Sequence, residues 1–477
     1  MSGGDRITLV WLKRDLRLHD HAPLAEASRR CRTGETALAV YVRETDYWST
    51  DKASEDQWGF VAECLRDLAS GLEKIGGSLL IAEAPSAESV LEVLFERYEI
   101  AELLCHQETG NAWTFDRDKR VFRLCRERGI PVVEFLQNAV LRGSEAPQEK
   151  PQHQAIWRGW ITAPQIPVPD FWRNPTAMPS GLMDPNLSTP TDVSRQRGGE
   201  RLALGLLESF LGERCLLHQG YRVEMGSPLH APDACSRLSP HLTWGSLSTK
   251  RAAQASMESE PRPPHGSMMH RNSFHRRLRW RDHFLQKFES LPWMEFRCIN
   301  PARESLHGWD EALYNRWASG MTGYPFVDAC MRSLNATKWL NFRARAMLVS
   351  FASYALNLDW RRFAPHLART FLDYEPGIHY SQLQMQSGTT YGSPPRIYNP
   401  IKQSVEKDPE GEFIRRWVPE LRDLSGDAIH LPQDAVRYGY PAAIVSPGSL
   451  WRVMRSHGPK TRKPPGEKPE PQMELGF

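Results

Sequence analysis

The residues most able to carry chemistry lie in the C-terminal half of the chain. Small and apolar residues recur at helical spacing over 341–358, which predicts a helix with Arg343 and Arg345 in its first turns. Asp373 and Glu375 follow a second short helical run, and the glycine- and proline-rich segment after them predicts an irregular loop. An unpaired buried charge is costly, so an arginine on a buried helix and an aspartate beyond it predict a charge pair across a pocket.

A second candidate is a serine-rich segment. Ser236 and Ser239 are typical of a helix start, where hydroxyl groups satisfy free backbone amides. The same amides suit a phosphate group, which leaves two interpretations, a plain helix cap or a phosphate site. By residue type alone the plain cap is favoured.

A third candidate is the basic segment 274–288. It predicts an amphipathic helix in which Trp280 and Phe284 lie four residues apart on one face. Without further information, a solvated basic surface over a core stripe is the favoured interpretation.

Length and composition set the broad class of protein. At 477 residues the chain exceeds what one hydrophobic core usually supports, so two domains are expected. The net charge of +3 is too slight to indicate nucleic-acid binding, and any DNA contact would need a local basic patch. The eight cysteines form no CxxC pair, so we expect no metal site and no disulfide framework. A charged N-terminus and the lack of a long apolar run predict no signal peptide and no membrane span, and hence a cytoplasmic protein.

The pattern of apolar residues changes near residue 200. Before it, short apolar runs alternate with helical stretches, which predicts a doubly wound parallel sheet; after it, helical periodicity predicts an all-α domain. Such sheets bind ligands beyond the carboxyl ends of their strands, where the loop 106–111 would lie, although an empty domain is an equal alternative. The predicted divisions are an α/β domain (1–141), an interdomain linker that packs through its aromatic residues (142–200), a helical domain (201–456) and a disordered tail (457–477).

Several motifs resemble the photolyase and cryptochrome family. They are LVWLKRDLRLHDHAPLAEA near the N-terminus, SRLSPHLTWGSLS at 236–248, GYPFVDACMRSLNATKWLNFRARAMLVSF followed by LDW, and later RIYNP and DPEGEFIRRWVPEL. The matches keep their order from residue 9 to residue 421. The resemblance implies a divergent bacterial-type member, with an N-terminal α/β antenna domain and a C-terminal helical domain that binds FAD.

The resemblance also implies which residues bind the flavin. Residues 236–239 would hold the FAD pyrophosphate, and Arg345 would pair with Asp373 over the flavin ring, where positive charge stabilises reduced forms. The residue that faces the ring nitrogen N5 is either Ile378 or His379. The implied cofactor-binding set is Tyr221, Ser236, Arg237, Leu238, Ser239, Phe274, Arg277, Arg281, Trp339, Asn341, Arg345, Asp373, Glu375 and His379.

The side of the pocket that would receive damaged DNA departs from the family pattern. Family members that repair cyclobutane dimers place a Glu one helical turn before the position of Trp280, and Arg277 stands there in this chain. We expect Arg277 and Trp280 to line the lesion cavity, with the flavin side retained and the dimer side rebuilt. Other departures are Phe342, Ala346, and Leu383 or Met385, at positions where the family has Asn, Met and an aromatic residue.

Members of the family reduce their flavin by light through a relay of tryptophans. By the resemblance, Trp360 matches the middle member of the relay and either Trp309 or Trp317 the outer one. The member nearest the flavin falls on Tyr380 or Ser381, which predicts a tyrosine-containing or rerouted path. Ordinary core packing is the alternative for these aromatic residues.

Three functions follow as hypotheses. The first is a deoxyribodipyrimidine photolyase-type lyase, in which reduced FAD excited by blue light donates an electron to a pyrimidine lesion flipped out of damaged DNA. The second is a cryptochrome-like photoreceptor that signals to a partner without repair. The third is a flavoprotein with a redox role unrelated to light. We favour repair slightly and expect a monomer, with phosphate contacts from Arg276, Arg277, Arg279, Arg343 and Lys402.

Two further cofactors are considered. Folate-using members of the family carry a Glu where this chain has Ala112, so the identity of an antenna chromophore is left open. Members with an iron–sulfur cluster carry cysteines late in the helical domain, and this chain has none after Cys330, so no such cluster is expected.

Overall fold

The N-terminal part of the chain forms a parallel β-sheet. In the computed structural model, which describes residues 6–143, 150–190, 193–258, 264–391, 397–450 and 452, five parallel strands pair in the order β3-β2-β1-β4-β5. The strands are β1 (Arg6–Leu12), β2 (Thr36–Glu44), β3 (Leu79–Ala84), β4 (Glu99–His106) and β5 (Val132–Phe135). The helices between them are α1 (Ala22–Arg32), α2 (Thr45–Trp48), α3 (Glu55–Glu73), α4 (Ala87–Arg97) and α5 (Ala112–Glu127).

Both faces of this sheet are covered. Val10 and Leu12 of β1 enter one hydrophobic core, whereas Leu9 and Trp11 enter another on the opposite face. A strand buried on both faces reads as a continuous apolar run, which is how β1 was recognised in the sequence. The predicted doubly wound sheet is therefore confirmed.

The rest of the described chain is helical. Its α-helices are α6 (Lys150–Thr162), α7 (Glu200–Gly212), α8 (Tyr221–Glu224), α9 (Ala231–Ala234), α10 (Ser239–Thr243), α11 (Thr249–Met257), α12 (Ser267–Ser290), α13 (Glu311–Ala318), α14 (Pro325–Thr337), α15 (Phe342–Ser350), α16 (Trp360–Thr370), α17 (Pro376–Gln386), α18 (Pro400–Lys407), α19 (Glu412–Trp417) and α20 (Pro432–Ala435). Short 3₁₀ turns lie at Arg214–Leu216, Pro292–Glu295, Pro301–Arg303, Pro419–Leu421, Gly426–His430 and Val436–Tyr438. The predicted helical C-terminal domain is confirmed. None of the helices in the described ranges has both the length and the apolar character needed to cross a membrane.

The helix predicted over 341–358 differs in detail from the one observed. α15 ends at Ser350, and Phe351–Ala355 continue it as a π-helical stretch, a wider turn that often accompanies functional sites. The helix stops before Leu358 because Asn357 adopts a left-handed conformation with φ of 54°.

The prediction of an irregular loop directly after Glu375 was wrong, because α17 begins there. Pro376 occupies the first turn of α17, where the missing N–H costs no hydrogen bond. A Cβ on Gly377 would lie 2.9 Å from the Cα of Leu285 in α12. The proline and glycine that indicated a loop therefore serve a helix start and a close helix contact.

The segment predicted as a linker, 142–200, is partly helical, since it contains α6. Trp157 and Trp172 are buried, and Trp172 Nε1 donates to the carbonyl of Ala37 at 3.0 Å. Phe171 is exposed. The predicted disordered tail, 457–477, lies outside the described residues.

Buried hydrogen bonds from the sheet region, and one from Trp244 of the helical region, hold the end of α16 and the residues after it. Gln57 Nε2 of α3 donates to the carbonyls of Ala368 and Phe371, each at 2.8 Å. Trp244 Nε1 donates to the carbonyl of Leu372 at 2.9 Å, and Arg14 Nη1 donates to that of Tyr374 at 3.3 Å. These contacts hold in place the residues that carry Asp373 and Glu375.

Candidate functional site

The helical region encloses a cavity of about 330 Å³. It lies among α8, α10, α12, α15 and α17, and its lining is mostly apolar with charged side chains on several sides. All fourteen residues of the expected cofactor-binding set line it: Tyr221, Ser236, Arg237, Leu238, Ser239, Phe274, Arg277, Arg281, Trp339, Asn341, Arg345, Asp373, Glu375 and His379. Residues far apart in sequence thus meet around one space.

One end of the cavity is formed by residues 236–239. Arg237 has a φ of 61°, and its guanidinium lies 3.9 Å from the ring centroid of Trp339. Burial lowers the pKa of Arg237 to about 10, and Asp373 opposes that shift. A group with this pKa is still cationic at neutral pH, so the serine hydroxyls and this guanidinium suit a phosphate group.

The centre of the cavity holds a paired arginine and aspartate. Arg345 Nη1 and Nη2 donate to the two carboxylate oxygens of Asp373, each at 2.9 Å, and Arg345 Nε donates to the carbonyl of Leu340 at 2.6 Å. This fork geometry fixes the guanidinium plane. Beside the pair, the buried Oδ1 of Asn341 has no hydrogen-bond partner among the described residues. An orphaned buried acceptor at a cavity wall fits a ligand that brings a donor, as the flavin ring of FAD does.

A second carboxylate joins the cavity to the sheet region. Glu375 Oε2 accepts from Arg281 Nη2 at 2.8 Å, and its Oε1 lies 3.9 Å from Arg14 Nη1. Burial raises the pKa of Glu375, whereas Arg281 and Arg14 act in the opposite direction. The segment after β1 therefore supplies a positive charge beside Glu375.

Both residues considered for the position facing N5, Ile378 and His379, line the cavity. Burial lowers the pKa of His379 to about 3, and its Nε2 lies 3.1 Å from the carbonyl oxygen of Ala364. The imidazole is therefore neutral at physiological pH and donates through Nε2. It supplies no positive charge to the cavity.

The rim of the cavity contains the departures from the family pattern. Arg277, Trp280 and Phe342 line the cavity and are partly exposed, and Ala346 lies deeper. Arg277 Nη2 lies 3.4 Å from the sulfur of Met225, and it opposes the rise that burial causes in the pKa of Tyr221. Of the two residues considered for the later aromatic position, Leu383 is among the lining residues.

Some lining residues were not predicted from the sequence, among them Tyr374, Gln382 and Gln386. The two glutamines lie four apart on α17, and this face was not recognised because α17 was predicted as a loop. Gln386 Nε2 donates to Gln382 Oε1 at 3.4 Å, and the buried Oε1 of Gln386 has no partner among the described residues. Tyr374 could have been noticed, because it stands between two predicted site residues.

The aromatic residues considered for an electron relay lie outside the cavity lining. The rings of Trp360 and Tyr380 meet at a centroid distance of 6.3 Å. Trp309 lies 4.9 Å from Tyr314, which in turn lies 6.3 Å from Trp317. Trp317 and Trp360 are fully buried, and Trp309 is partly exposed.

A much smaller cavity, of about 30 Å³, lies at the carboxyl ends of the strands. Its lining includes Lys13, Arg14, Glu44, Glu108 and Arg117. Arg117 bonds to Glu44 and Glu108, at 3.0 and 2.7 Å. This space holds only a few water molecules, and several of the charged side chains that line it are paired with one another.

Three buried side chains beneath these strand ends are close enough to hold a metal ion: Asp15, His21 and His106. His106 Nδ1 lies 2.8 Å from Asp15 Oδ2, and His21 Nε2 lies 3.2 Å from the same atom. The sequence analysis, which expected no metal site, did not single out this group. The His106 contact is a hydrogen bond, whereas His21 Nε2 faces the same carboxylate oxygen without hydrogen-bond geometry.

Comparison with known proteins gives matches over most of the chain. The family model "DNA photolyase" matches residues 8–168, and the model "FAD binding domain of DNA photolyase" matches residues 274–449. A deoxyribodipyrimidine photo-lyase of Thermus thermophilus is 30% identical over 429 residues, which cover 86% of this chain and 92% of that protein. A cryptochrome DASH of Synechocystis is 28% identical over 454 residues, covering 89% and 90%. A solved structure of a bacterial class III photolyase from Agrobacterium tumefaciens aligns with a TM-score of 0.80 at 25% identity, covering 96% of this chain and 98% of that one.

Proposed function

Because the chain belongs to the photolyase and cryptochrome family and contains its FAD-binding domain, we propose that it transfers an electron from light-excited reduced FAD to a pyrimidine lesion in DNA. The observation that carries this proposal is the cavity of about 330 Å³. Its lining includes both the Arg345–Asp373 pair and a partly exposed rim. The cavity thus offers an inner space for a flavin and an outer space for a flipped base.

The inner residues bind and orient FAD. Ser236, Arg237 and Ser239 would hold the pyrophosphate, and the Arg345–Asp373 pair would hold positive charge beside the ring. Bound FAD, when reduced and excited, supplies the electron that breaks the lesion's extra bonds. The largely apolar lining excludes water from the ring, which strengthens these electrostatic contacts.

The rim would receive the lesion. Trp280 offers a ring on which a flipped base can stack, and Gln382 offers an amide that can bond to a base edge. The exposed Arg276 and Lys402 and the partly exposed Arg279 and Arg343 would contact phosphates of the DNA backbone.

Arg277 determines which lesion the rim accepts. In this chain a guanidinium stands at the position where dimer-repairing relatives carry a carboxyl group. It can donate hydrogen bonds to carbonyl or anionic oxygens of a lesion, but it cannot accept a hydrogen bond from the lesion. This substitution favours a lesion other than the cyclobutane dimer, such as the 6-4 photoproduct, or a single-stranded substrate.

The second candidate is a blue-light photoreceptor without repair activity. The departures from the family pattern at Arg277, Phe342 and Ala346, all of which line the cavity, are the observation that favours it. In that case light would change the redox state of the flavin, and a surface of the protein would pass the change to a partner.

A repair assay separates the two candidates. The protein is incubated in blue light and in the dark with oligonucleotides that carry either a cyclobutane dimer or a 6-4 photoproduct, and restored pyrimidines are counted. The proposal expects light-dependent restoration of at least one lesion and tighter binding to damaged than to intact DNA. Flavin reduction by light without repair of either lesion, and with equal binding to both DNAs, would favour the photoreceptor.

A charge reversal at the rim tests the role of Arg277. Arg277→Glu is expected to create or raise repair of the cyclobutane dimer, because a carboxyl group returns to the position that dimer-repairing relatives use. Arg123→Glu makes the same charge change at an exposed position of α5, outside the residues proposed to contact DNA, and is the matched control. An unchanged or lower rate of dimer repair in Arg277→Glu would contradict this assignment.

A further inference from the structure

Two buried tyrosines form a hydrogen-bonded pair at the edge of the cavity. Tyr374 lines the cavity, and its hydroxyl oxygen lies 3.2 Å from that of Tyr380. Each residue is 1% exposed. The pair therefore leads from the flavin space into the protein core without passing through solvent.

A buried carboxylate stands at the far end of this pair. The hydroxyl group of Tyr380 donates a hydrogen bond to Glu295 Oε1 at 3.3 Å, and Glu295 is 4% exposed. The same oxygen lies 2.5 Å from Lys52 Nζ, and Oε2 accepts from the backbone N–H of Ala112 at 2.8 Å. Lys52 is partly exposed, so the chain of hydrogen bonds Tyr374, Tyr380, Glu295, Lys52 reaches the surface.

The ring of Tyr380 also contacts other aromatic rings. It stacks on Phe288 at a centroid distance of 5.8 Å and meets the edge of Trp360 at 6.3 Å. Tyr380 thus contacts an aromatic ring, that of Trp360, with which it could exchange an electron. It also contacts a carboxylate, that of Glu295, with which it could exchange a proton. In the described part of the chain, no other tyrosine combines a hydrogen bond to a cavity-lining tyrosine with one to a buried carboxylate.

The chemistry of phenols makes the carboxylate important. Burial, the neighbouring Tyr374 and Glu295 all raise the pKa of Tyr380, so the phenol is protonated at neutral pH. A phenol that loses an electron becomes a strong acid, and in a buried site its proton needs an acceptor within hydrogen-bond reach. Glu295 is such an acceptor, and its Oε1 also lies 2.5 Å from Lys52 Nζ.

We propose that Glu295 is the proton acceptor of Tyr380, which the family resemblance already makes a candidate for the relay member nearest the flavin. The proposal rests on the function proposed above, because the oxidant is photoexcited oxidised flavin in the cavity. Tyr380 loses one electron, which passes by way of Tyr374 to the flavin. The phenolic O–H bond breaks, an O–H bond forms on Glu295, and a neutral tyrosyl radical remains. An added thiol then gives the radical one electron, and the proton on Glu295 returns to the phenolic oxygen. The thiol loses its own proton to solvent and becomes a thiyl radical, while the flavin keeps the electron it received.

Flash photolysis of the flavin-loaded protein tests the proposal. We expect a transient tyrosyl radical in electron paramagnetic resonance, whose spectrum narrows when the protein contains ring-deuterated tyrosine. Its formation is expected to be slower in D₂O than in H₂O. An infrared band of a protonated glutamate is expected to appear with the radical and to be absent from Glu295→Gln.

Variants locate both groups. Tyr380→Phe is expected to abolish the tyrosyl signal, and Glu295→Gln to slow its formation by about a hundredfold, the low end of what a positioned proton acceptor contributes. Tyr314→Phe, which alters a tyrosine between Trp309 and Trp317, is the matched control and is expected to leave the signal unchanged. The D₂O comparison uses the wild-type protein, so it can be made even if a variant fails to fold.

Two failures are distinguishable. If the purified protein takes up no flavin, the proposed function fails and this inference fails with it. If flavin is bound and bleaches in light, but the radical persists in Tyr380→Phe or forms at the same rate in D₂O and in Glu295→Gln, only the roles of Tyr380 and Glu295 are overturned.

Discussion

Two arginine–carboxylate pairs, one on each side of Tyr374, define the charge of the cavity. Asp373 pairs with Arg345 and Glu375 pairs with Arg281. Because Asp373 and Glu375 are both buried, each loses hydration on folding and depends on its arginine for compensation. The short segment between them therefore sets the positions of two guanidinium groups at once.

Asp373→Asn is expected to lower affinity for FAD by about tenfold or more. The amide keeps the shape of the carboxyl group but loses its charge and turns an N–H₂ group toward Arg345, and breaking such a partly buried pair costs at least about 1.4 kcal/mol. The measurement is the dissociation constant of added FAD, followed by quenching of flavin fluorescence. Asp359→Asn disrupts a similar pair, with Arg361, away from the cavity, and it should leave the constant unchanged. Equal affinities in all three proteins would contradict the role assigned to Asp373.

Stability below neutral pH is expected to depend on His241. Burial lowers its pKa to about 3, so the folded protein keeps it neutral, whereas the unfolded chain binds a proton below about pH 6.5. The unfolded state then binds more protons, and this residue's contribution to the free energy of unfolding falls as the pH falls from about 6.5 toward 3. The contribution of His241 is measured by urea unfolding of the wild type and of His241→Gln, each at pH 7.5 and at pH 5.5. The stability difference between the two proteins should shift by about 1.4 kcal/mol against the wild type at the lower pH. A difference that stays the same at both pH values would rule this out.

At the scale of elements, the cavity depends on how closely α12 and α17 approach. Gly377 lets the backbones meet, since a Cβ there would lie 2.9 Å from Leu285 Cα and 3.0 Å from the carbonyl oxygen of Phe284. Phe284 also lines the cavity, so a shift of either helix changes the shape of the cavity. The contact sets both stability and binding.

Gly377→Ala is expected to destabilise the protein by about 1–3 kcal/mol, the usual cost of overpacking, and to reduce the flavin retained through purification. Gly205→Ala is the matched control, because a Cβ at that helical position would meet nothing within 4 Å. The control should be neutral or more stable by up to about 1 kcal/mol. The two are compared by urea unfolding and by the ratio of flavin to protein absorbance. Equal stability and equal flavin content in both variants would contradict the close-contact account.

The elements differed in how well sequence predicted them. The strands were recognised because buried parallel strands leave continuous apolar runs, as ITLVWL does in β1. α17 was missed because its sequence begins with Pro376 and Gly377, and both residues serve a helix for reasons that appear only in three dimensions. The bend after α15 depends on Asn357 in a left-handed conformation, which no apolar pattern indicates.

The site residues show a similar division. The expected flavin contacts were named from the family resemblance, and all of them line one cavity. Local spacing alone favoured a plain cap at Ser236 and Ser239, since sequence spacing does not tell which distant segments face each other. Glu295 carried no local signal at all, because its importance comes from Tyr380, which is 85 residues away along the chain.

At the scale of the whole molecule, the sheet region and the helical region act together on one cavity. The carbonyls around Phe371 are held by Gln57, and Glu375 lies near Arg14 at the end of β1. The small cavity at the carboxyl ends of the strands is lined by ion-paired side chains, and this same arginine is one of them. In this protein the N-terminal region therefore supports the cavity through charge and hydrogen bonds.

The measurement that tests the central claim most directly is the absorption spectrum of the purified protein, before and after blue light in the presence of a thiol. The account predicts oxidised flavin bands in a near-stoichiometric amount, and bleaching of those bands under illumination. Asp359→Asn should behave like the wild type, and Asp373→Asn should retain less flavin. A protein that holds no flavin, even after incubation with excess FAD, or that binds flavin whose bands do not change in light, would contradict the account.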